Sequence, residues 1–439
     1  MLLQLIISIF LITSALANDT SSIETQIELA KQGNSNAQVY LGRMYAQGLG
    51  VSQDYKKARG YFEQAALQGN SKAQFQLGLM YAQGLGVSQN FSVAKDYYIQ
   101  ASSQGNTDAQ NNLGLMYLYG QGVSQDFQKA RAYFEQAAAQ GDNLAPYNLG
   151  LMYFKGQGVA QQPKVAFSWF EKSALLGNSE ARDYLGYLYS QGQGVSQDFS
   201  KAREHYEIAA AQGNAHAQSN LARMYQLGQG VAQNYQIAVQ WYKRAALQGD
   251  EQAQLNLGFL SYLGQGVPQD FAVARTYFEQ ASEKLNVQAL TYLGLMYYIG
   301  QGTPQNFSKA KEYFELAAIK DSPIAEFTLG LMYFNGLGLK QDYQKAKEYF
   351  EQASAKEHAD AQDFLGFIYS QGKGVAVDLS KAIYYYEAAA KQLQPHALFS
   401  LGLMYQQGVG VTQDLSKAKE YLKVAANQGY PDAIKELQR

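Results

Sequence analysis

Cysteine is absent from the 439 residues, which excludes disulfides, thiol nucleophiles and thiolate sites for zinc or iron–sulfur clusters. It also excludes a lipid anchor attached to a cysteine behind a leader. An excess of one charge is missing too. The formal net charge is -2, so there is no electrostatic case for nucleic acid or an anionic membrane surface. Histidine is scarce: His205, His216, His358 and His396 include no i,i+4 pair and no metal-ligand spacing. Neither a metal nor a cofactor is expected. One apolar run stands at the N-terminus, and no second run of spanning length follows.

That first run, Leu2 to Leu16, leads to Ala15-Leu16-Ala17, a small-x-small pattern ahead of Asn18 and Asp19. Residues 1–17 read as a secretory signal peptide cleaved after Ala17, although no Lys or Arg follows Met1. The run is short of the roughly 20 residues that a spanning helix needs. The expectation is an exported protein, periplasmic or secreted, with no integral membrane span once the signal is removed. The closing Glu436-Leu437-Gln438-Arg439 is not a signal for retention in the endoplasmic reticulum.

What is present is a unit of thirty-six residues written eleven times without insertion or deletion. The first copy runs from Ala37 to Lys72; its Leu41 recurs as Leu77, Leu113 and onward to Leu401, and its Ala58 as Ala94 and onward to Ala418. A fixed period of about 20–50 residues signals a solenoid or another stack of supersecondary units. The layout expected is an N-terminal half-repeat helix at 18–36, eleven copies over 37–432 and a C-terminal capping helix at 433–439. Function is then expected on an extended surface and not in a catalytic cleft.

Each copy predicts two helices. In the first, Leu41, Met44 and Tyr45 stand three and four apart, the stripe of an amphipathic helix. Gly48 and Gly50 end it, and both recur in every copy. Asp54 then caps a second helix, and this position is Asp or Asn in ten of eleven copies. The exception, Gln162, is followed by Pro163, which suits a first helical position. Ala58, Tyr61, Phe62, Ala65 and Ala66 are assigned to the buried side of this second helix. Short connections make consecutive helices antiparallel.

The run Leu113, Gly114, Met116, Tyr117, Gly120, Gly122, Val123, Asp126, Ala130, Tyr133, Ala137, Ala138 and Gly141 resembles the Sel1-like repeat, a relative of the tetratricopeptide repeat. The resemblance covers Ile27 to Arg439. It implies an all-α fold, a right-handed α-solenoid of antiparallel helix pairs, acting as a protein–protein interaction adaptor and not as an enzyme. A cysteine-bridged branch of the family, reported to bind β-lactams, is disfavoured by the lack of cysteine. Ser261 replaces the repeat tyrosine, and Ala222 the glycine after leucine. The glycine between repeats is replaced four times in succession, at Leu285, Asp321, Glu357 and Leu393. Those turns are open to another geometry, and with it a change of curvature.

Ser-x-x-Lys, the nucleophile motif of penicillin-recognising enzymes, occurs at Ser92, Ser308 and Ser416. All three fall just inside second helices, and the companion motifs are absent, so a hydrolase or ligand-binding protein acting on peptidoglycan or β-lactams is the alternative and not the expectation. The sequons at Asn90 and Asn306 coincide with helix caps; a third, at Asn18, opens the mature chain. Arg59 with Glu63, and its counterparts 131/135, 203/207 and 275/279, form i,i+4 pairs of a solvated face. His205 occupies a position that is Tyr in most copies and Trp169 or Trp241 in two, which makes it a variant of the core position.

The resemblance makes the first helices the concave lining. Between their core positions stand Tyr119, Phe154, Tyr187, Phe259, Tyr262, Tyr298, Phe334 and Phe367, beside Leu295, Leu331 and Leu403. Aromatic residues are common anchors at interfaces. These rings either bind a peptide or protein partner in the groove or pack against the adjacent first helix. The function expected is an exported scaffold for such a partner, in host interaction or envelope assembly.

Overall fold

A computed structural model describes residues 20–438. The expected signal peptide, and the sequon at Asn18, lie outside the described residues. By internal contacts the chain forms two compact units, Met1–Ala217 and Gln218–Arg439. The described residues form twenty-four α-helices and no strand, from α1 (Thr20–Lys31) to α24 (Pro431–Leu437). None of these helices is long and apolar enough to cross a membrane. Even-numbered elements are the first helices of the copies and odd-numbered ones the second, as in the pair α2 (Ser35–Gln47) and α3 (Tyr55–Leu67). Each unit is a stretch of α-solenoid.

Local chemistry sets the helix ends. In the first copy, Gly48 closes α2 at φ 70°, its N–H donating to the Met44 carbonyl. The Asp54 carboxylate caps α3 by accepting from the Lys57 N–H at 3.0 Å, and the Asp54 N–H donates to the Tyr45 carbonyl at 2.8 Å. Gln53 adds a bond invisible to helix periodicity, its side-chain amide donating to the Ala46 carbonyl at 2.9 Å. Ten of eleven copies repeat it. Gln162 caps nothing with its side chain, and Pro163 does open its helix. Asn90 and Asn306 are likewise caps, accepting from Val93 and Lys309 N–H groups at 3.1 and 3.0 Å.

The second loop glycine has a separate reason to be glycine. A Cβ on Gly302 would stand 2.6 Å from the Cβ of Phe271, the first residue of the preceding copy's second helix. Each loop therefore seats on the repeat before it.

The core has one layer of leucine and one of alanine. Leu41 and its counterparts are at most 1% exposed, and Ala58 and its counterparts at most 2%. Phe62 fills the space between, and a Cβ on Gly42 would lie 2.5 Å from its ring. Tyr61 differs from expectation. It is half-buried and stacks on Tyr45 at 5.8 Å, with Lys57 lying 5.2 Å from the Tyr45 ring. Adjacent positions on a helix diverge by about 100°, so only Phe62 can point into the stack. His205 keeps the outer role, stacked on Tyr189 at 5.6 Å.

The four turns without glycine keep the left-handed residue, and only at Leu285 does the second helix stop one residue early, at Ser282. Leu285, Asp321, Glu357 and Leu393 hold φ between 60° and 64°, the only non-glycine residues with positive φ among those described. Glycines at this position, such as Gly69 and Gly141, have nothing within 4 Å of where a Cβ would stand. The position requires the backbone angle and leaves room for a side chain.

Amide pairs, one buried glutamine with one exposed, link the helices. Gln38 accepts from Gln68 at 2.8 Å, and the same pair, thirty residues apart, recurs at 74/104, 110/140, 218/248 and 362/392. In one copy it becomes an ion pair, Glu326 with Lys356, and Lys356 also reaches Asp321 at 3.1 Å.

Candidate binding face

Seven of the eight rings predicted for the groove are half-buried, and the eighth, Tyr119, is exposed. In the first unit, Phe154 brings together Tyr184 at 5.6 Å and Tyr187 at 6.0 Å, joining neighbouring first helices edge to face. In the second, Phe259 meets Tyr292 at 4.7 Å, and Tyr262 meets Phe271 at 5.1 Å. The Tyr262 hydroxyl donates to Gln301 at 2.6 Å. Tyr298 packs on Phe307 at 5.5 Å, and Phe334 reaches both Tyr343 and Phe367, at 5.1 and 6.3 Å. Each of the seven half-buried rings thus braces a neighbour and keeps part of its surface open.

Two sets of residues on this face escaped the sequence reading. Tyr184, Tyr292 and Phe364 sit one turn before the predicted positions and bridge successive repeats. Leu227, Leu263 and Ile299 end three successive first helices and are 54%, 57% and 54% exposed. The signal for these three was an aliphatic residue where other copies hold Gln47, Gln83 or Gln191.

Burial raises the phenolic pKa of Tyr119, Tyr184 and Tyr298, so these hydroxyls stay protonated at neutral pH. In the second unit, the Asp363 carboxylate, buried on α20 (Ala359–Gln371), pairs with the His396 ring at 2.8 Å.

No cluster of three metal-binding side chains exists among the described residues. The Ser-x-x-Lys serines are exposed first-turn residues. Lys311 is held by Glu315 at 2.9 Å, a hydrogen bond that raises its pKa, so it is not the neutral amine a base requires. An open hollow of about 640 Å³ lies off this face, lined by Lys347, Tyr369, Val377, Asp378 and Lys381 among others. It occurs in the copy where Val377 takes the place of the carbonyl-bonding glutamine.

Helix pairs repeated at a constant period, with a variable face on the first helix of each, define a repeat scaffold. The Sel1 repeat matches residues 35–70, 71–106, 107–142, 144–178, 179–214, 215–250, 251–284, 287–322, 323–358, 359–392 and 395–430. The chain belongs to the Sel1 repeat family, whose members are as a rule non-enzymatic scaffolds for protein–protein interaction. Two of the breaks between matches fall at Leu285 and Leu393, where leucine has replaced the turn glycine.

Among solved structures, the chain is similar to a protective antigen present in uropathogenic Escherichia coli strains, at 33% identity and a TM-score of 0.77. That match covers 94% of this chain and 89% of the other. It is also similar to a Sel1 repeat protein from Oxalobacter formigenes, at 31% identity and a TM-score of 0.54, covering 71% of this chain and 90% of the other. No curated protein matches it by sequence.

Proposed function

We propose that the protein is an exported scaffold that holds a peptide or protein partner against its first helices, in host interaction or envelope assembly. One observation carries this reading. Scaffold positions scarcely change between copies, whereas the open positions between them run from Arg43 to Leu79, Tyr187 and Phe259. Stacking alone has no use for that contrast. The apolar leader at residues 2–16 supports export, and so does the likeness to a protective antigen, a protein that host immunity meets.

The test uses the native host. The mature chain, Tyr298→Ser and Phe334→Ser are each used to capture partners identified by mass spectrometry. Loss of a specific partner from both variants, at a temperature where circular dichroism shows each variant still folded, is the expected result. Retention of the same partners by both removes the assignment of this face. N-terminal sequencing is expected to begin at Asn18, and a full-length cytoplasmic product would exclude export.

A further inference from the structure

We infer that the first-helix face of the second unit between residues 251 and 371 receives an amphipathic α-helix whose polar side is neutral or basic, with Leu263 and Ile299 in one contact row. This rests on the binding-face reading above and goes beyond it by fixing the chemistry of the partner.

Charge selects first. Across α14 (Glu251–Leu263), α16 (Val287–Ile299), α18 (Pro323–Asn335) and α20, no Lys or Arg occurs, whereas the first helix before them, Ala215–Leu227, carries the exposed Arg223 and lies outside this face. Of their carboxylates, Glu326 and Asp363 are buried, which leaves Glu251 and Asp360, both in first turns at one rim. An acidic segment docked here would lose its hydration with no cation opposite, an uncompensated cost. A basic flank would instead meet the two rim carboxylates.

Backbone satisfaction selects next. Several polar side chains within this face are already engaged: Thr328 donates to the Ile324 carbonyl at 2.7 Å, Gln252 donates to Asn256 at 3.3 Å, and Tyr262 donates to Gln301 at 2.6 Å. An extended segment buried on such a surface would leave N–H and C=O groups without partners. A helix carries its own backbone bonds and needs only apolar contact.

The spacing agrees. Packed helices lie about 8–10 Å apart, and seven residues of a helix rise about 10.5 Å, so residues i and i+7 of the partner would fall on successive repeats. Leu263 and Ile299 are paralleled one turn earlier by Phe259 and Leu295, with Leu331 next in that row, and these three are half-buried. Two rows one turn apart match the i, i+3/i+4, i+7 stripe of an amphipathic helix.

The experiment pans displayed random peptides of about fifteen residues, long enough to form a helix, against the full mature chain. Enriched sequences are expected to place apolar residues at i, i+3 or i+4 and i+7, with Lys or Arg outnumbering Asp and Glu between them. An enriched peptide should bind about tenfold or more weakly to the Leu263→Gln/Ile299→Gln variant. Glutamine is what other copies hold at this position, and both residues are more than half exposed, so the variant should melt like wild type. Enrichment of acidic sequences, of peptides apolar at every second or third residue, or of nothing, overturns the helix inference. If an enriched extended peptide still loses binding in the variant, the binding face stands and only the helix is wrong. Binding indifferent to the variant removes both.

Discussion

At Leu285, Asp321, Glu357 and Leu393 the chain holds a left-handed backbone that costs an L-residue about 1–2 kcal/mol. The surrounding turn is otherwise normal, with the Leu393 N–H donating to the Ala390 carbonyl at 2.9 Å. Leu393→Gly is therefore expected to stabilise the C-terminal repeats by about 1 kcal/mol, and Gly69→Leu to destabilise its own by a similar amount, read as local amide protection. Two histidines titrate in opposite directions. His396 has a pKa raised above 6.5, chiefly by its hydrogen bond to Asp363, so its contribution is full below pH 6.5 and fades as pH rises through the raised value. His358 has a pKa lowered by burial, and its ring nitrogen caps α20 by accepting from the Ala361 N–H. That cap is intact above pH 6.5 and is lost as pH falls through the lowered value. Amide exchange of α20 and α22 (Pro395–Gln407) across pH 5 to 8 should show both limbs. His358→Asn, the cap found at Asn34 and Asn70, should erase the acid limb, and His396→Gln the alkaline one; a limb surviving its own substitution refutes that assignment.

Between elements, the pair of buried Glu326 with the more exposed Lys356 stands where five other copies place two glutamines. Removing the lysine leaves a buried carboxylate without its donor, so Lys356→Met is expected to cost about 1–3 kcal/mol. Converting both residues to Gln restores the amide pair and should be close to neutral. A double-mutant cycle by urea denaturation checks this, and additive effects would mean the pair does not interact. These amide pairs show why the elements were legible and their joints were not. Leu41, Ala58, Gly48 and Asp54 announce themselves by recurring at positions where one residue type fits. Gln38 and Gln68 also recur, but an amide on a helix reads as solvated until the fold brings together two that lie thirty residues apart. The ring positions were legible as a face and not as a depth: periodicity gives direction, while Phe259 owes its half-burial to Phe278 on the next helix and Tyr292 on the one after. Leu227, Leu263 and Ile299 were missed because the reading sought aromatic anchors: Tyr119, which ends its own first helix at the same repeat position, was picked out and the aliphatic residues there were not.

Across the whole molecule, contacts run between neighbours, and stability should be local. Leu293→Ala, at a fully buried position, is expected to cost about 2–5 kcal/mol. Hydrogen exchange should show α14 to α18 loosening while helices several repeats away keep their protection. Uniform loss would point to one global core. The loop glycine that seats on the preceding repeat carries this locality into ancestry. Gly158 rests on Phe127, and one copy earlier Gly122 rests on Phe91. Excising residues 107–142 would bring Gly158 onto Phe91, another phenylalanine in the same register, and no surface would meet a stranger. A whole copy can be lost or doubled by unequal crossing-over without a misfit at the seam, whereas a change of any other length breaks two interfaces at once. Eleven copies of constant length are what such a filter leaves behind.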